Sequence, residues 1–264
     1  MKNVGLVLLG GCFILLGCKE NQNMERSRTV PDTAVSKLDV AQEIKIKPIL
    51  HATAVLEWKT ITVYVDPVGG AKAFEMENDP DLILITDNHS DHFSVETLQQ
   101  LDTRKAKIMV PQTVADKIPA EFTPQIDVLD NGDAKERYHI LVEAIPMCNF
   151  RDKGRKFHSK GTGNGYVLNM GGKRLYISGA TEDVPEMRSL KNIDKALVSM
   201  NVPYSMTVES AADAVLKMAP KQVYPYHYRG DPDVSDVIKF KELVNRGNPK
   251  IEVVQLDWYP QDDF

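Results

Sequence analysis

Hydrophobic and polar positions along this chain follow two different periods, and the switches between them mark its elements. Residues 44–56 and 60–65 are rich in Ile, Val and Thr and stop at Asp66-Pro67, which predicts consecutive strands closing in a turn. The run DLILIT at 81–86 is short and apolar, the pattern of a strand buried on both faces. Directly after it Val95, Leu98 and Leu101 fall at helical spacing, KIMV predicts another strand and TVADKI a short helix. The second half repeats the logic. YHILVEAIP reads as a strand, GYVLNM and KRLYISG as a hairpin across Gly171-Gly172, and ALVSM as the next strand. Over 207–218, Val208, Ala211, Ala212, Val215 and Leu216 share one helical face. Residues 222–226 are extended, Val237, Phe240 and Val244 predict one more amphipathic helix, and IEVVQLDW predicts a closing strand. Strands at both ends with strand–helix alternation between them predict a layered α/β domain, helices outside two central sheets.

Composition narrows this picture. With 264 residues, 42% apolar and 26% charged, the chain can build one sizeable core, and disordered, fibrous and multi-span membrane classes are excluded. A net charge of −5, with no basic stripe interleaved with aromatics, argues against nucleic acid as a partner. The start of the chain, MKNVGLVLLGGCFILLGC, carries one Lys and then an apolar stretch too short for an ordinary membrane helix, so residues 1–17 read as a signal peptide. Leu15-Leu16-Gly17-Cys18 resembles the lipobox of bacterial lipoproteins, which implies a lipid on Cys18 and a place at a membrane of the bacterial cell envelope. Residues 18–43 are polar, interrupted by Pro31, and read as a tether, leaving 44–264 as the folded domain. Cys12 leaves with the signal, so Cys148 remains the one free thiol and no intrachain disulfide is available. The pattern defines no oligomeric state.

The chemistry concentrates in ITDNHSDHFS, residues 85–94. Only six histidines occur in the chain, and His89 and His92 stand here with Asp87 and Asp91, just past a buried strand. A turn at a strand end releases consecutive side chains from alternation between faces, so several can aim at one point. Imidazoles and carboxylates in that arrangement suit Zn²⁺ and other first-row ions, Mn²⁺ or Fe²⁺ among them. A site that keeps one coordination position open activates water, and hydrolysis is the natural reaction.

This segment resembles the His-x-His-x-Asp-His signature of the metallo-β-lactamase superfamily, with Asp87 in the place of the first His. HATAVLEWKTITVYVDP, GNGYVLNMGGKRLYISGATEDVPEM and VYPYHYRG resemble the branch that includes bacterial ascorbate-6-phosphate lactonases, so the likeness covers roughly residues 46–257. It implies an αββα four-layer sandwich with the metal site at one edge between the sheets, holding one or two ions. It implies that Asp87 and His89 belong to a first site, and Asp91, His92 and His227 to a second, with Asp91 also the catalytic residue. It implies a small-molecule substrate, an ester, lactone, amide or phosphodiester attacked by metal-bound hydroxide. Two positions depart from the family. Gly179-Ala180-Thr181 stands where Gly-Asp-Thr is usual, so the carboxylate that bridges two ions is replaced by a methyl group. IPMCNF stands where a third histidine of the first site is usual, leaving Asn149, Cys148 or the more distant His158, and the first site reads as incomplete.

The remaining candidates carry structural readings beside functional ones. His51 is a cleft-side contact or a satisfied core histidine, and Asp66 a turn carboxylate or a support for a ligand. His158, in a Gly-rich loop, flanks the cleft or faces solvent. Glu182 reads as a surface residue at a helix start, with base or ligand as the alternative. His139 reads as a strand residue and nothing more. Ala180 and the first site's missing histidine also admit a non-catalytic binding lipoprotein that keeps the fold and a degenerate metal site.

Overall fold

The computed structural model describes residues 43–150, 158–231 and 234–260. The residues read as a signal, the proposed lipidation site Cys18 and the tether up to residue 42 lie outside the described residues. Among the described residues thirteen strands form two sheets. The first takes β1 (Lys45–Leu50), β2 (Thr53–Trp58), β3 (Ile61–Val65), β4 (Leu82–Leu84), β5 (Lys107–Val110) and β6 (Ile126–Val128) in chain order. The second runs β13-β12-β11-β10-β9-β8-β7, from β7 (Ala134–Arg137), β8 (Ile140–Met147), β9 (Gly163–Met170), β10 (Lys173–Ile177), β11 (Lys195–Ser199), β12 (Gln222–Tyr226) and β13 (Glu252–Val253). Each sheet opens with antiparallel pairs and turns parallel, from β3 onward in the first and from β10 onward in the second.

Strand alternation divides the apolar residues into three layers. Ala54, Leu56, Val63, Val65, Leu82 and Leu84 face Val142, Leu168, Leu175, Ile177 and Leu197 across the space between the sheets. Their neighbours Val55, Tyr64 and Ile83 point the other way, onto α1 (Val95–Gln100) and α2 (Gln112–Ala115). Val167, Tyr176, Val198 and Val223 point outward from the second sheet onto α3 (Pro185–Ser189), α4 (Val208–Met218) and α5 (Val237–Gly247). Two sheets sharing one core, each covered by helices on its far face, are the layered α/β arrangement the periodicity implied.

Local chemistry sets the helix starts. Ser94, Thr207 and Asp236 accept the amides of Thr97, Ser210 and Lys239, satisfying donors that have no partner within their own helices. Three expectations are corrected. Strands β6 and β7 are absent from the sequence reading because each is short and polar on one side. IEVVQLDW pairs only at Glu252–Val253, since β13 is an edge strand with one partner. His139 is no strand residue: with φ of 62° it turns the chain between β7 and β8. Among the described residues no helix is long and apolar enough to cross a membrane.

Candidate metal centre

Most of the residues that converge follow the carboxyl ends of parallel strands: Asp66 after β3, Asp87 to His92 after β4, Ala180 after β10, Asn201 after β11 and His227 after β12. Open α/β sheets place ligands at this edge because the chain leaves the sheet there and its side chains are free to point along the strand axis. After β4 the backbone makes one helical turn, with the His92 and Phe93 amides donating to the His89 carbonyl, and this wraps His89, Asp91 and His92 around one end of the core.

Two groups of donors result. In the first, Asp87 Oδ2 lies 2.7 Å from His89 Nδ1 and 2.7 Å from His158 Nε2, and the two imidazole nitrogens are 3.2 Å apart. In the second, His227 Nε2 lies 3.1 Å from His92 Nε2 and 3.2 Å from Asp91 Oδ2, with 3.7 Å between His92 Nε2 and Asp91 Oδ2. Bonds of about 2.0–2.1 Å in a tetrahedron put neighbouring donors about 3.3 Å apart; the second set of spacings brackets that value, and the first set lies somewhat inside it. His51 Nε2 joins the second group from the turn between β1 and β2, 3.5 Å from Asp91 Oδ2. His51, Asp91 and His227 also satisfy the spacing for a shared ion.

The donors fit a cation rather than one another. Asp87 Oδ2 is buried and meets only the two imidazoles, and His227 Nδ1 is buried and without a hydrogen-bond partner. A buried carboxylate oxygen in that position is costly unless a positive charge meets it. Each ligand imidazole except His89 and His227 is fixed through its far nitrogen. His92 Nδ1 meets Asp66 Oδ2 at 2.8 Å, and Thr86 holds that carboxylate with its amide and its hydroxyl, both at 2.7 Å. His158 Nδ1 donates to Asn149 Oδ1 at 2.8 Å, and His51 Nδ1 sits 2.7 Å from the Tyr259 hydroxyl. Contacts of this kind set tautomer and ring direction, leaving the Nε2 lone pair for the centre.

Charge is set to match. Burial works against the charge of Asp87, but the imidazoles of His158 and His89 override it and hold the group well below the usual carboxylate range. Asp91 behaves the same way, its burial outweighed by His227 and His51. Burial drives His227 down to about 3, so it is neutral and offers a lone pair. Burial would lower His92 too, but the Asp66 carboxylate lifts it to about 9, so without metal the ring carries a proton that an arriving ion would have to displace.

Both groups open on one cavity of about 310 Å³, whose wall includes Ala180, Asn201 and Tyr204. Ala180 is buried there, with no carboxylate at its position. The first group, read from the sequence as incomplete, gains a third donor that could face an ion: His158 is buried rather than solvent-facing and lies with Asp87 and His89. Asn149 Oδ1 accepts from both the ring and the amide of His158. Glu182 is not at the surface. It is buried, and its carboxylate accepts the Phe150 amide at 2.9 Å, tying down the strand exit that carries Asn149. His51 escaped the sequence reading as a donor because its partner Asp91 is 40 residues away; the signal available was its position in a tight turn.

Residues 45–227 match the family described as the beta-lactamase superfamily domain, well over half of the chain. The chain belongs to that superfamily. Among its relatives in the superfamily, a UPF0173 metal-dependent hydrolase of Thermococcus onnurineus is 30% identical over 72% of this chain and 84% of its own length. A second, from Pyrococcus abyssi, is 29% identical over 81% of this chain and 96% of its own. A crystal structure of a candidate metal-dependent hydrolase from Parabacteroides distasonis superposes with a TM-score of 0.71 at 32% identity, covering 80% of this chain and 92% of that one. These likenesses fit the two-sheet architecture of this superfamily member.

Proposed function

We propose that this protein is a metal-dependent hydrolase of an ester, lactone, amide or phosphodiester, anchored to a bacterial envelope membrane through lipid on Cys18. The observation that carries the reading is convergence: His227 and His92, 135 residues apart in the chain, bring Nε2 atoms to 3.1 Å of each other beside Asp91. Asp87, His89 and His158 would hold one divalent ion and Asp91, His92 and His227 a second, with Zn²⁺, Mn²⁺ or Fe²⁺ suited to the donor set. Bound there, such ions supply Lewis acidity and bring the pKa of water from about 16 to near 7. Asp66 and Thr86 keep the His92 ring in place, and Asn149 does so for His158. Asp91 is the carboxylate that remains partly exposed on the cavity, so it is the group placed to orient an attacking water by accepting a hydrogen bond from it. Water's oxygen then bonds to the acyl carbon or phosphorus, the bond to the leaving oxygen or nitrogen breaks, and the leaving group takes up the water's proton. The likeness to ascorbate-6-phosphate lactonases favours lactones within this range, and the apolar stretch ending at Cys18 supports export and anchoring.

Ala180 supports the competing reading of a binding protein without turnover, because its methyl group lines the cavity and offers no ligand atom. Metal content per chain and turnover of lactones, phosphodiesters and a β-lactam, measured for this protein and for Ala180→Asp, separate the two. Hydrolysis by the native chain is expected. Turnover by Ala180→Asp alone assigns the native chain to binding, and a failure of both to bind metal ends the hydrolase reading.

A further inference from the structure

One buried polar side chain on the cavity wall takes no part in either donor group. Asn201 follows β11, lines the cavity and is only 2% exposed. Its backbone and half of its side chain are engaged. The Asn201 carbonyl accepts the amides of Tyr204 and Ser205 at 2.8 Å and 3.0 Å, and the Asn201 amide donates to Ser205 Oγ at 2.9 Å. The same hydroxyl donates to Asn201 Oδ1. That bond fixes which end of the side-chain amide is which, because Ser205 Oγ already accepts the backbone N–H and its own proton needs an acceptor, which Oδ1 supplies. Nδ2 is left over. It meets no hydrogen-bond partner among the described residues, yet it is not sealed from water. On a residue so deeply buried, the space it reaches is the cavity that the residue lines.

The fold braces this donor against both groups. β11 lies between β10, which leads to Ala180, and β12, which leads to His227, and Ser199 is paired with Tyr226 in that ladder. The Met200 amide bonds the His227 carbonyl at 3.4 Å, so Asn201 leaves the sheet beside a donor of the second group. Three residues on, the Tyr204 carbonyl accepts Asn149 Nδ2 at 2.9 Å, and Asn149 Oδ1 holds His158 of the first group. The cavity they share, about 310 Å³, has the size of a small-molecule site. A ligand that enters it displaces water from Nδ2, which favours ligands that bring an acceptor oxygen in its place.

Resting on the hydrolase reading above, we propose that Asn201 binds the substrate, its Nδ2 donating to an oxygen on the carbon or phosphorus that water attacks. That oxygen gains negative charge as the new bond forms, and a donor fixed beforehand strengthens its bond at that moment. Ser205 is the residue that positions the donor. The products of hydrolysis keep the same oxygen, as a carboxylate or a phosphate ester, and small anions of these two kinds are the probes.

The test is the binding of acetate and of dimethyl phosphate to the Zn²⁺-loaded protein by calorimetry, with metal content measured first, in the native chain, Asn201→Asp and Asn201→Leu. The Asp variant keeps the oxygen that Ser205 bonds and loses the N–H donors; the Leu variant loses both. Each should bind at least one probe about 10- to 100-fold more weakly at unchanged metal content, the worth of one hydrogen bond to a charged acceptor. The probe so affected assigns the attacked centre as acyl or phosphoryl. In the native protein the Asn201 side-chain amide signal, followed by heteronuclear NMR, should move as that probe is added and its protons should exchange more slowly with water, which a merely structural asparagine would not show. Equal affinities in all three proteins, an amide signal that neither probe moves, or no binding of either probe to the native chain overturns the inference and leaves the hydrolase reading standing. Weakening in Asn201→Asp alone is the effect of its added charge, and weakening that tracks lost metal is a loss of the site; each overturns the inference as well. A chain that takes up no Zn²⁺ overturns the hydrolase reading and the inference with it.

Discussion

His158 carries the sharpest test at the scale of single residues, because only the fold brings it to Asp87 and His89. His158→Ala should remove one of two bound ions while His139→Ala, in the turn between β7 and β8, leaves both; elemental analysis of the dialysed proteins reads the difference. Asp66 acts one bond further out. Replacing it by Asn removes the charge behind His92 and should weaken metal binding by about 10- to 100-fold, the usual cost of losing a group that orients a ligand, as read by competition with a chromogenic chelator. The cluster at residues 87–92 was legible in the sequence since its members are neighbours in the chain. His51 and His158 were not, for their roles depend on contacts across 40 and 71 residues, with Asp91 and Asp87. Glu182 misled for a related reason. A carboxylate before a proline-started helix usually faces water, and here it is drawn inward by an unpaired amide at Phe150.

At the scale of elements, the turn after β10 places Ala180, and its geometry leaves little latitude. Gly179 has φ of 63°, and a Cβ there would stand 2.4 Å from Met147 Sδ and 3.2 Å from Thr86 Cβ. Gly179→Ala should cost about 1–3 kcal/mol, through the left-handed backbone and the crowding together, and a lowered urea midpoint would register it. Strands buried on both faces and the two long amphipathic helices were legible because their periods are unmistakable. The short β6 and β7 were hidden: β7 reads AKER, and such a segment becomes a strand only when the longer β8 supplies its hydrogen-bond partners. Sequence periodicity therefore revealed what each element buries and missed what an element merely borders.

The whole molecule should show the balance of its buried imidazoles when it is stripped of metal. His227, near 3 in the fold against an ordinary 6.5, is neutral where the unfolded chain would be protonated, so its contribution is complete above pH 6.5 and is lost as pH falls toward 3. His92, lifted to about 9, has the opposite sign: its contribution is complete below pH 6.5 and is lost as pH rises through 9. Stability of the stripped protein should therefore peak near pH 6.5 and decline on both sides by on the order of a few kcal/mol, seen as a maximum in thermal midpoint across a pH series. One further property follows from His51, Asp66 and His227, whose φ values of 53°, 45° and 47° are sparsely populated for residues with a side chain. Their amides bond the carbonyls of Trp258, Leu84 and His51, so backbone contacts rather than ligation impose those conformations. The socket is cast during folding, and an arriving ion has little left to rearrange; hydrogen exchange at these three amides should be as slow before metal is added as after.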